Sequence, residues 1–251
     1  MMTALGKEWL EQRRTHRLLI VSAIFLLFGL LSPLLAKFTP EIIKMVPGGE
    51  QISLIIPPPT VVDAVVQYIK NLTQFGLLLT VLMGMGMVSQ EKDKGTATMV
   101  LAKPLSRTAF ILSKPAAMGI SFLIATALAA LAGYYYTLLL FEALPVGSWL
   151  ALNGLLLVYF GVYAALAILA STLNRSMLGS GAVALGFILL LALVEMIPAA
   201  GKLLTGGLLG WAQNLALGSA VEPAWGALVV CLGLIAAALI ASVWIFRRQE
   251  I

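Results

Sequence analysis

Apolar runs of bilayer-crossing length recur along this chain, and they constrain its fold more than any other feature. At least five stretches approach or exceed the roughly 20 apolar residues needed to cover a hydrocarbon core of about 30 Å. In 251 residues with 61% hydrophobic and only 11% charged side chains, such runs are too many for a water-soluble core. The chain reads as one all-α polytopic membrane domain over residues 1–251. Its six transmembrane helices fall at about 18–36, 65–88, 117–141, 149–171, 177–197 and 223–246.

Charge sets the orientation. Twelve of the sixteen Lys and Arg residues fall on one side of this arrangement, in the amino-terminal segment, the loop between spans two and three, the turn at Arg175 and the tail at Arg247 and Arg248. A Lys/Arg excess in short loops marks the cytoplasmic side, so both termini are expected inside. The formal charge of +5 is therefore topological and does not point to nucleic acid. Before the first apolar run the chain carries Lys7, Glu8, Glu11, Arg13, Arg14, His16 and Arg17, too long a charged start for a cleavable signal peptide. Span one is read as retained.

Several segments stand out between the spans. Residues 3–14 can form an amphipathic helix with Leu5, Trp9 and Leu10 on one side and Lys7, Glu8, Glu11 and Arg14 toward the others. A helix in the interface plane, with Trp9 at headgroup depth and Arg13 and Arg14 as basic anchors, fits that pattern. Span one is expected to end near Ser32-Pro33, followed by a long external segment over 37–62. Pro57-Pro58-Pro59 stiffens its end, since each proline removes a donor and restricts its predecessor. At the start of the second helix Asp63, Gln67, Lys70, Asn71 and Gln74 share one face. Either that half projects into solvent, or Asp63, Gln67, Asn71 and Gln74 line a vestibule on a translocation path. Glu195 is a carboxylate near the outer end of span five, where a structural role is favoured over ion coupling. The glycine-rich stretch 198–222 is a candidate re-entrant segment.

Much chemistry is excluded. His16 is the only histidine and Cys231 the only cysteine, so neither a His-based zinc motif nor an internal disulfide can form. No phosphate-binding loop of the G-x-x-x-x-G-K-[ST] kind occurs, so the chain is not expected to hydrolyse ATP. It is not expected to be an enzyme. No acidic residue falls in the inner half of a span, which disfavours an ion-coupled carrier.

The polar stretch 89–115, SQEKDKGTATMVLAKPLSRTAFILSKP, separates spans two and three. Glu91-Lys92-Asp93-Lys94-Gly95-Thr96, then Leu101-Ala102-Lys103-Pro104-Leu105-Ser106-Arg107, then Lys114, resemble the family of ABC-2 type permeases. These are membrane subunits of ATP-binding-cassette transporters. Glu8-Trp9, Arg13-Arg14, Ser32-Pro33 and the six-span layout are similar to that family too. The resemblance implies an interfacial helix over 3–14 and a cytoplasmic coupling segment over 89–103, seated in a separate ATPase subunit. Within it Glu91, Lys92, Asp93, Lys94, Gly95, Thr96 and Lys103 would meet that partner, and 198–222 would be an external re-entrant segment. ATP and Mg would belong to the partner, with no cofactor in this chain. A second permease subunit, in a homodimer or heterodimer, would complete the complex in the cytoplasmic membrane of a prokaryote. Physically, Glu91 and Asp93 suit a helix start and could pair with basic residues of an ATPase. Gly95 allows a sharp turn. Lys103, Arg107 and Lys114 could hold the loop against anionic headgroups.

The long segment 37–62 departs from the polysaccharide-export branch and is closer to small permeases of drug, peptide or ion efflux. Nothing in the chain specifies the cargo. The leading expectation is a permease subunit exporting a substrate. The competing one is a non-transporting scaffold, sensor or immunity component.

Overall fold

The computed structural model describes residues 2–48, 50–51, 57–96, 106–219 and 222–249, and these are helical almost throughout. In chain order the helices are α1 (Met2–Arg14), α2 (Arg17–Lys44), α3 (Val61–Gly84), α4 (Ser89–Asp93) and α5 (Arg107–Leu140). There follow α6 (Val146–Leu173), α7 (Met177–Glu195), α8 (Pro198–Gly201), α9 (Thr205–Ala216) and α10 (Trp225–Arg248). Six units are long and apolar enough to cross a membrane: α2, α3 with α4, α5, α6, α7 and α10. The chain is a multi-pass protein of the plasma membrane.

Local chemistry starts these helices where it should. Thr60 is extended ahead of α3, and its backbone N–H donates to Asp63 Oδ2 at 2.7 Å, so one first-turn carboxylate closes the end that Pro57-Pro58-Pro59 leads into. Ser106 caps α5 by accepting from Ala109 N, and Ser176 caps α7 by accepting from Gly179 N. Two expected boundaries move. Span one does not stop at Ser32-Pro33, because α2 continues through Pro33 and Pro40 to Lys44, shortening the connecting segment. The third span begins at Arg107, not near residue 117, so α5 absorbs the last part of the polar stretch, with Pro115 inside the helix.

The core forms where α2, α3, α5 and α6 meet. Phe25, Tyr68, Leu72, Phe122, Leu156 and Phe160 are almost fully buried there. Phe25, Phe122 and Phe160 form a triangle with ring centroids 5.3 to 5.7 Å apart, edge-on or tilted as aromatic quadrupoles favour. Close approach of α2 and α5 depends on Gly29, where a Cβ would lie 2.7 Å from Ala129 O. Two buried polar groups of this core are paired: Tyr68 OH donates to Asn153 Oδ1 at 2.7 Å, and Trp149 Nε1 donates to Ala130 O.

By contrast α7 and α10 lie at the edge. Little of either is buried within the chain. Leu185, Leu189, Leu190 and Leu193 of α7 are more than half exposed, as expected where lipid or protein replaces water.

Candidate functional site

The short helix α4 hangs below α3 after a break in the backbone at Met85–Val88. The break leaves amide groups without helical acceptors, and one side chain meets them. Ser171 Oγ of α6 accepts from Val88 N and Ser89 N, both at 3.0 Å, and donates to Met85 O at 2.9 Å. A hydroxyl can do this because it has two acceptor lone pairs and one donor. Past α4, Gly95 adopts φ +65°, the left-handed conformation that stops the helix, and Thr96 Oγ1 donates to Glu91 O at 3.3 Å. The sharp turn expected at Gly95 is there.

Behind α4 lies an ionic centre built from three distant stretches. Lys114 of α5 has a side chain only 1% exposed, and its Nζ donates to Glu91 Oε1 at 2.8 Å and Glu8 Oε1 at 3.0 Å. The same ammonium stands 4.7 Å from the centroid of the Phe110 ring, a cation–π contact. Lys7 of α1 adds a second cation, paired with Glu91, with Glu8 at 3.1 Å and with Glu11 at 3.6 Å. Burial acts to lower the Lys7 pKa, but the hydrogen bond to Glu91 and the charge of Glu8 outweigh it, raising it above the ordinary lysine value. Glu8, Glu11 and Glu91 also bring one oxygen each within 4.8 Å of one another, close enough to ligate a cation. Two ammonium groups, Lys7 and Lys114, already sit among those three carboxylates and offset two of their three charges.

This centre corrects the expected role of two residues. Lys114 cannot hold the loop against headgroups, because it is buried and fully engaged with two carboxylates. The Glu91 carboxylate points into the chain, so it is not presented to a basic residue of a partner. Arg107 is likewise turned inward: Nη1 donates to the carbonyls of Phe246, Arg247 and Gln249 at 2.9 to 3.3 Å, covering the negative end of α10. Lys92 reaches Thr172 O at 2.6 Å and Gln249 Oε1 at 3.3 Å, tying α4 to the end of α6 and the tail after α10. Asp93, Lys94 and Gly95 are the exposed members of the segment, and Lys103 lies outside the described residues. A groove of about 410 Å³ opens beside them, lined by Lys7, Glu11, Gln90, Glu91 and Lys94.

The amino-terminal helix packs with a polar stripe inward. Ala4, Glu8 and Gln12 are its buried residues, and Ser121 Oγ of α5 donates to Gln12 Oε1. Trp9 is half-buried, and Arg13 and Arg14 remain exposed, where they can meet headgroups. Sequence reasoning put Glu8 on an outer polar side. The i, i+4, i+8 spacing of Ala4, Glu8 and Gln12 was the local signal for a shared face, but their partners are remote. Ser171 and Gln249 carried no signal at all.

The expected vestibule face on α3 divides. Asp63 and Gln74 are exposed and Gln67 is partly so. Asn71, at the edge of that face, is buried, and its Nδ2 donates to Ser32 Oγ of α2 at 3.0 Å. At the opposite end of the bundle Glu195 Oε1 accepts from Thr205 Oγ1 and from Gly206 N, closing the amino terminus of α9, with Tyr163 OH 3.1 Å from Thr205 Oγ1.

α1, α4, the turn after α6 and the tail after α10 thus meet at one end, which holds most of the basic residues. The family model described as ABC-2 family transporter protein matches residues 2–251. The chain is also similar to the uncharacterized transmembrane protein YxlG of Bacillus subtilis (strain 168), at 29% identity over 260 residues, covering 100% of this chain and 98% of that protein. Members of the matched family are non-catalytic permease subunits. Residues 2–251, essentially the whole chain, belong to the ABC-2 family of membrane transporter proteins.

Proposed function

We propose that this chain is the membrane subunit of an ATP-binding-cassette exporter, driven by a separate ATPase subunit that contacts the segment around α4. The basic end is the cytoplasmic end, with both termini inside, because inversion would put most Lys and Arg residues outside. The observation that carries the reading is the position of Glu91. It sits two residues before exposed Asp93 and Lys94, and its carboxylate is held by Lys114 and Lys7 from two other helices. A push on the exposed residues is therefore transmitted to α1 and α5 as a rigid body, while Ser171 serves as the pivot below α3. Asp93, Lys94 and Gly95 are the face offered to the ATPase, whose subunit supplies the ATP and Mg site. Glu91 and Lys92 hold that face in place.

A second permease subunit is expected against the exposed apolar length of α7. At the external end α8 and α9 form the re-entrant segment. The 12 residues of α9 span only about 18 Å, short of a full crossing. Its apolar side, Leu208, Trp211, Ala212 and Ala216, is buried.

Cysteine cross-linking tests the reading. The natural Cys231 is buried, so Asp93→Cys and Lys94→Cys each provide one accessible thiol. Co-expressed with an ATPase encoded beside it, each variant is expected to cross-link to that subunit. An Asp93→Lys/Lys94→Glu double variant is expected to lose co-purification while keeping its thermal stability. If no ATPase associates with the wild-type chain, a non-transporting scaffold, sensor or immunity component replaces the exporter reading.

A further inference from the structure

The α5–α10 side of the bundle carries a groove that none of the coupling residues use. Its upper part, about 560 Å³, lies among α5, α6 and α10, with Pro115, Gly119, Phe122, Gly161 and Ile235 in its walls. Its lower part, about 390 Å³, lies between α5 and α10 and includes Thr108, Val243, Trp244 and Arg247. Leu112 and Leu239 line both, so the two parts form one continuous groove. Each volume falls in the range of about 300–1,000 Å³ typical of ligand sites. Apart from its lower end the wall is apolar.

We propose that this groove holds one acyl chain of an anionic phospholipid, with the headgroup phosphate at Arg247 and Arg248. Three observations carry this. Length comes first. Thr108 and Leu123 bound the groove along α5, and their separation corresponds to about 22 Å of helix, enough for one leaflet of roughly 15 Å and its headgroup layer. Width comes second. A helix with side chains is about 10–12 Å across and needs a far larger trough than the space between α5 and α10, whereas a hydrocarbon chain is narrow enough.

Charge is the third and chooses the headgroup. Arg247 and Arg248 are exposed at the lower mouth, and neither guanidinium forms an ion pair among the described residues. Arg248 is held 3.8 Å from the centroid of the Trp244 ring, which fixes a cation at interface depth beside the groove. Arg107 turns its Nη1 instead to the carbonyls that end α10. Guanidinium is the group best matched to phosphate. On the orientation given above, the mouth faces the leaflet where anionic lipids concentrate.

Gly119 supplies a clean test, because a Cβ there would meet nothing within 4 Å. Gly119→Leu should project into the upper groove from a Cβ that meets no neighbour. The full chain is equilibrated in micelles doped with equal phosphatidylglycerol and phosphatidylcholine, and retained lipids are read by native mass spectrometry. The wild type is expected to retain one phosphatidylglycerol per chain in preference to phosphatidylcholine. Arg247→Gln/Arg248→Gln should lose that preference, and Gly119→Leu should lose the lipid. Should Gly119→Leu fail to fold, the arginine variant, altered only at the surface, still decides headgroup choice. Equal retention of both lipids by the wild type, or unchanged retention in either variant, overturns the proposal. A Gly119→Leu chain that keeps its lipid but no longer self-associates would assign the groove to a second copy instead.

Discussion

Glu91 and Glu195 stand at opposite ends of the bundle, each near the end of a membrane-crossing helix, and they are satisfied in different ways. Glu91 meets ammonium groups from residues 84 and 23 positions away in sequence. Glu195 meets a hydroxyl and an amide only 10 and 11 positions away. One carboxylate binds separate helices into a unit through charge. The other closes the end of its own neighbouring helix. A long-range ionic tie suits a place where force must pass between elements, because breaking it exposes a buried charge. A local cap suits a segment that only has to stay folded.

The largest expected effect is at Lys114. Replacing it with Met leaves Glu8 and Glu91 facing each other without their buried cation, which should cost about 3–5 kcal/mol in detergent unfolding. Adding Glu8→Gln and Glu91→Gln to Lys114→Met should restore much of that loss, since the penalty arises from unpaired charge. If the triple variant is no more stable than the single one, packing and not charge dominates the centre. At the other end Glu195→Ala should cost about 1–2 kcal/mol, the range of a lost helix cap. Its hydrogen exchange should rise over 198–216 and stay unchanged at residues 2–14. A rise at both ends would erase the distinction drawn between the two carboxylates.

Smaller effects are expected nearer the surface. Arg107→Ala should cost roughly 1 kcal/mol, because three carbonyls at the end of α10 lose a cationic donor. Lys7→Ala should cost no more than about 1 kcal/mol, since the Lys7 side chain is 39% exposed and water screens its pairs. The folded-state pKa of Lys7 is raised, so its contribution is complete below the unfolded value of about 10.4 and fades only as pH rises through the higher folded value. The melting difference between wild type and Lys7→Ala should therefore be the same at pH 6 and pH 9.

The spans were legible because a stretch of some twenty apolar residues admits little but a membrane helix. Even there, the ends of α2 and α5 moved. Ser32-Pro33 reads as the end of a span, yet α2 runs on through Pro33 and Pro40, and α5 holds Pro115, as helix neighbours allow in a membrane bundle. The polar stretch was legible as the special segment, and Gly95 turns as its type predicts. What the residues did with their charges was not legible. Lys114 looks identical in sequence whether it meets a phosphate or Glu8, and 106 positions separate those two partners. Ser171 is one serine among many until the break below α3 is placed beside it.

The central claim is that the ionic centre transmits motion between an ATPase and the bundle, and one measurement tests it most directly. The complex of this chain with its ATPase is reconstituted in vesicles, and ATP hydrolysis is compared between wild type and Lys114→Met at a temperature where both remain folded. The account predicts that the Lys114→Met complex still assembles, through Asp93 and Lys94, but that the hydrolysis stimulated by the membrane subunit falls sharply. Stimulation equal to wild type would contradict it, showing that force enters the bundle by a route other than Glu91 and Lys114.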